Sequence, residues 1–125
     1  MKEFVYRIQD KQGRGPFKPG FTLKWLQQEK NLPPYFLEFP DLNLQTETNQ
    51  NDFIGCACLN LDQLRKWFTP HEYQILKKLG FKLVRLEADK ILRRSENQCV
   101  FSRTKRFDKN AVVMTLYLPD TELAG

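Results

Sequence analysis

No apolar run in the chain approaches the about 18 residues that a membrane-crossing helix needs. Its opening, MKEFVYRIQD, alternates polar and apolar residues instead of forming a signal-peptide core. A cytoplasmic chain that makes no membrane contact is therefore expected. Cysteine is sparse and odd in number: Cys56, Cys58 and Cys99 cannot all pair. That favours reduced thiols over a disulfide framework. Histidine is sparser still, with only His71. A four-ligand zinc set would need His71 and all three cysteines, and Cys56-x-Cys58 lacks the two-residue gap usual in such pairs, so no metal is expected. Gly13 and Gly15 lack the third glycine and the Lys-Ser or Lys-Thr pair of a phosphate loop, which leaves the stretch from Asp10 to Gly20 as a turn-rich loop. Internal repeats and low-complexity tracts are absent too.

What is present suffices for one core. The chain has 125 residues, 41% of them hydrophobic and 13% aromatic, which fits one small domain. Its organising stretch is DFIGCACLNLDQLRKWF, Asp52 to Phe68. The apolar run from Phe53 to Leu59 reads as a strand, Asn60 as a helix cap with Gln63 completing a capping box, and Leu61, Leu64, Trp67 and Phe68 as one buried helix face. A second helix start follows, with Thr69 as cap, Pro70 in the first turn, Glu72 three residues after the cap, and Gly80 as the stop. Further strands are expected at 2–9, 82–87, 98–103 and 111–118, and a short helix capped by Thr22 at 23–30. Residues 35–52 contain no basic residue and read as a long loop, first aromatic and then polar, suited to a lid or a partner-binding segment. The expected fold is α+β: a mixed, mainly antiparallel sheet of about five strands with two to three helices and a long polar loop near 38–52.

Charge is unevenly placed. Between Lys77 and Lys109 eleven basic residues face four acids, +7 in a chain whose total is +5, so the remainder is −2. Arg93, Arg94, Arg103, Lys105 and Arg106 form the densest part, flanked by Phe101 and Phe107. Basic residues interleaved with aromatics suit nucleic acid or an acidic protein surface.

Several segments together resemble a known group. Tyr6-Arg7 on the first strand, GRGPF from Gly13 to Phe17, Gly55-Cys-Ala-Cys-Leu leading to Leu61-x-x-Leu64-x-x-Trp67-Phe68, LGFKLVRLEAD from Leu79 to Asp89, and QCVF from Gln98 to Phe101 resemble small phage and prophage proteins of unassigned function. The layout is also similar, more distantly, to the ADP-ribosyltransferase fold. That second resemblance implies NAD as cofactor, with Arg7 holding a phosphate or ribose, Tyr6 beside it, and Cys58 at the middle polar position. It also places Glu96 or Gln98 near the glutamate that orients the ribose. Cys58 and Gln98 depart from the family pattern, since a thiol bonds more weakly than a hydroxyl and an amide carries no negative charge. Two functions follow. One is an ADP-ribosyltransferase-like domain, active or degenerate, that binds NAD or a nucleotide and acts on host machinery. The other is a non-enzymatic accessory protein, such as an anti-CRISPR-type inhibitor, that meets a host protein or nucleoprotein complex through its basic face.

Overall fold

The computed structural model describes residues 3–16 and 32–118, so the helix expected at 23–30 lies outside the described residues. Alternating apolar residues build the first sheet. In Glu3–Gln9 (β1), Val5 and Arg7 face one side while Tyr6 and Ile8 face the other. β1 pairs antiparallel with Lys82–Ala88 (β3), with Val5 opposite Leu86, Arg7 opposite Val84 and Ile8 opposite Leu83. β3 also pairs with Val112–Met114 (β6). The second sheet joins Phe53–Ala57 (β2), Cys99–Arg103 (β5) and Lys90–Arg94 (β4), all antiparallel. The orders are β1-β3-β6 and β2-β5-β4. Four helices complete the described chain: Tyr35–Glu38 (α1), Leu44–Glu47 (α2), Leu61–Trp67 (α3) and Pro70–Lys78 (α4). The protein is a small α+β domain.

The first sheet packs on both faces, and β3 buries Leu83 on one and Val84, Leu86 and Ala88 on the other. Ile8 and Leu83 meet Leu64, Trp67, Phe68, Tyr73 and Leu76 from α3 and α4, with Cys58 and Leu116 closing that cluster. On the other face Val5, Val84 and Leu86 meet Ala57, Cys99 and Phe101 of the second sheet.

The helix ends follow their local chemistry. The Asn60 side chain accepts from Gln63 N at 2.8 Å, while Gln63 Oε1 accepts from Leu59 N at 2.8 Å, one residue before the position a standard capping box would use. Thr69 and Glu72 form the full reciprocal box. Gly80, at φ 94, lets Phe81 N donate to Leu76 O and Gly80 N to Lys77 O, a Schellman stop.

The expected α+β fold of about five strands holds, and three details differ. The described residues hold six strands, because β4 follows β3 after Asp89 alone and the chain passes from one sheet to the other without any turn signal. Arg93 and Arg94, which lie between the strands expected at 82–87 and 98–103, are therefore strand residues. The strand expected over 111–118 shrinks to Val112–Met114, since the residues after it are drawn onto the helices: Arg65 donates to Leu116 O, Tyr73 Oη accepts from Leu116 N, and Tyr117 Oη donates to Phe68 O. Finally, 35–52 is not a long structureless loop. It holds α1 and α2, and Arg93 pins it through Asp41 at 3.1 Å and Glu47 at 2.7 Å. Thr69→Ala, which removes the capping box, is expected to lower stability by about 1 kcal/mol and the melting temperature by about 3–6 °C, as thermal unfolding would measure.

Candidate functional site around a buried arginine

The two sheets touch at one backbone pair and then part. Tyr6 and Cys58 exchange both amide hydrogen bonds at 2.8 Å, an isolated bridge between β1 and the end of β2. Arg7 stands one residue beyond, where the strands separate. Among the described residues the crevice there is lined by Arg7, Gly55, Cys56, Gln98 and the aromatics Tyr35 and Trp67, with aliphatic neighbours, and its volume is about 480 Å³. That size lies within the range of small-molecule sites.

Arg7 is the unusual component. It is only 6% exposed, yet among the described residues Nε and Nη1, both sealed from solvent, have no hydrogen-bond partner, and Nη2 alone donates, to Gly13 O at 3.2 Å. Its guanidinium lies 5.4 Å from the Phe53 ring centre and 5.7 Å from that of Phe101. Burial drives its pKa down to about 10, and the neighbouring Arg106 pushes it further in that direction. Asp10 opposes the shift, but its carboxylate is engaged by Gln12 N, Arg14 N and Arg14 Nε. A buried charge without a paired carboxylate destabilises a fold, so Arg7 weakens the domain by its position.

Gly55 makes room for it. A Cβ at this position would overlap Arg7 Nη1 and crowd Phe101. The glycine interrupts an otherwise apolar strand, a signal of close approach by another group that sequence reasoning could have used. The loop after β1 closes over the same arginine, held by Arg7 on Gly13 O and by Arg106 on Gln12 O at 2.9 Å.

The structure distributes the other candidate residues as follows. Cys58 and Gln98 line the crevice with Arg7. The Tyr6 side chain packs against the helical core on the opposite face of β1. Glu96 is exposed, outside the described crevice lining, and its backbone oxygen accepts from Lys66 Nζ at 3.2 Å. The turn that carries it is a structural hub, since Gln63 donates to Ser95 O and Trp67 Nε1 to Asn97 O. Cys56 is exposed in the crevice, whereas Cys58 and Cys99 are buried. Burial raises the Cys58 and Cys99 thiols, Cys99 to about 12, while exposed Cys56 is partly desolvated by the crevice walls, an effect that Arg7 opposes, so none is a ready nucleophile near neutral pH. His71 is exposed on α4, away from these cysteines in the chain.

The basic window is largely engaged within the molecule. Arg93 meets Asp41 and Glu47, Arg94 meets Glu3 at 2.9 Å, and Arg103 donates to Glu87 O and lies 3.5 Å from Asp108. Arg106 stacks 5.0 Å from the Phe53 ring centre. Lys105 is exposed. No described helix is long and apolar enough to cross a membrane.

Gly55→Ala is expected to displace the guanidinium while leaving the fold intact, because the end of a flexible side chain yields more readily than backbone. A crystal structure of the variant should show the Arg7–Gly13 hydrogen bond lost, with the far-ultraviolet circular dichroism unchanged. No curated protein and no solved structure matches the chain. The family model described as Bacteriophage T4 Y00F protein matches residues 1–113, nearly the whole chain and every element that builds the crevice, and the protein therefore belongs to that bacteriophage family.

Proposed function

We propose that this phage-family protein is an ADP-ribosyltransferase-like domain of degenerate type, which holds a phosphate-bearing nucleotide on Arg7, with NAD as the candidate, and does not turn it over. It acts in the host cytoplasm by binding. The observation that carries this reading is the guanidinium at the fork of two strands: 6% exposed, with Nε and Nη1 sealed from solvent and without an acceptor among the described residues, so that a ligand entering the crevice must draw it out to supply one. A phosphate accepts hydrogen bonds in the geometry a guanidinium offers and supplies the missing countercharge. The absence of turnover is supported by the described crevice lining, which contains no Asp or Glu. An oxocarbenium-like centre needs negative charge close by, and Gln98 offers only a neutral amide.

Arg7→Met tests this, because it replaces a buried charge with an apolar side chain of similar length. The variant without ligand is expected to be more stable than the parent by about 1–2 kcal/mol, as uncompensated buried charge is costly. The parent should gain melting temperature with NAD or a mononucleotide, the variant should not, and NAD should be recovered intact. A destabilised variant, combined with a parent that does not respond to any nucleotide, would remove the reading.

The alternative, an anti-CRISPR-type inhibitor that meets a host nucleoprotein complex through its basic face, draws support from the exposed Lys82, Lys90, Lys105 and Lys109. It is weakened by the internal pairing of Arg93, Arg94 and Arg103. A polyanion held by those lysines would bind with strong salt dependence, whereas a ligand seated on buried Arg7 is screened less.

A further inference from the structure

We propose that Gln98 is the specificity-determining residue of the crevice, a fixed hydrogen-bond acceptor set in that role by Glu38, so that the ligand offers it a ribose hydroxyl as well as its phosphate. The inference rests on the reading of Arg7 as a phosphate site.

An amide side chain offers two N–H donors and one carbonyl acceptor. Gln98 is 4% exposed and lines the crevice. Its Nε2 donates to Pro33 O at 2.9 Å and to Glu38 Oε1 at 2.9 Å. Both donors are thus taken, and the orientation is unambiguous, since a flipped amide would set its oxygen against a carbonyl and a carboxylate. The other Glu38 oxygen accepts from Asn97 Nδ2 at 3.0 Å, which holds the carboxylate in place. Oε1 remains. No described donor reaches it, and it is not among the sealed, unpaired buried atoms, so it is open to whatever occupies the crevice.

Arg7 and Gln98 together make a two-point site, with a cation for a phosphate and a neutral acceptor for a donor beside it. Ribose hydroxyls lie close to the 5′-phosphate of a nucleotide, so a ribonucleotide satisfies both points and a dideoxynucleotide only one. A buried acceptor left without its donor penalises the poorer ligand, by about tenfold for one neutral hydrogen bond. Glu38 touches no ligand in this arrangement and is a positioning residue.

The test compares adenosine 5′-monophosphate with its 2′,3′-dideoxy analogue by calorimetric titration. The parent should prefer the ribose form about tenfold. Gln98→Leu and Glu38→Ala should bring the ratio to about one while the dideoxy form still binds as it does to the parent. Glu38→Gln, whose amide oxygen still accepts from Gln98 Nε2, should keep the preference, an outcome that a merely structural role would not give. Equal binding of the two ligands by the parent, or a preference retained in Gln98→Leu, overturns the proposal. Arg7→Met should bind neither ligand. If it binds both as the parent does, the phosphate reading fails and takes this inference with it. Should Glu38→Ala not fold, Gln98→Leu and Glu38→Gln decide the question.

Discussion

A guanidinium buried without a carboxylate partner among the described residues is the constraint around which the crevice is arranged. Arg7 reaches its place because β1 leaves β2 after the Tyr6–Cys58 bridge, because position 55 carries no Cβ, and because Phe53 and Phe101 present their rings to it. Aromatic rings offset part of the desolvation of a cation but do not supply hydrogen-bond acceptors. Nε and Nη1 therefore stay unsatisfied. In a native interior such groups are rare and call for a reason. A ligand that binds only the folded state is a physical reason that fits, since its binding free energy returns the stability the buried charge removes.

The rest of the domain provides rigidity on either side of that fork. On one face of the first sheet the helical pair α3 and α4 seals a core that includes Cys58; on the other the second sheet packs against Val5, Val84 and Leu86. The turn at 95–98 ties these parts together. Its carbonyls accept from α3, while Asn97 and Gln98 hold Glu38 of α1. The aromatic residues of α1 at the crevice are thus fixed by the same turn that supplies Gln98. A residue read from sequence as a catalytic candidate, Glu96, belongs to this scaffold through its backbone.

Legibility in the sequence followed the range of the interactions involved. The caps at Asn60 and Thr69, the stop at Gly80 and the apolar face of α3 were readable, because each depends on residues within one or two turns. Arg7, Cys58 and Gln98 were singled out from a resemblance, and the structure brings them to one crevice. Strand β4 was not readable: KILRR has only two apolar residues, and its arginines pair with Asp41, Glu47 and Glu3, acids far away in the chain. The same long-range pairing turns most of an apparent basic patch into internal clamps. Glu38 escaped notice for a similar reason, since its partners Asn97 and Gln98 lie some sixty residues away. Gly55 was missed although a glycine inside an apolar strand is a local sign of close packing.

The most direct test of the account is a crystal structure of the protein soaked with a nucleotide. The account predicts phosphate density in the crevice within hydrogen-bond distance of the Arg7 guanidinium, turned out from the sealed position that its Nε and Nη1 hold without ligand, with Gln98 Oε1 facing a ribose hydroxyl. An empty crevice at saturating ligand, or an Arg7 turned away to pair with an acid of its own chain, would contradict it.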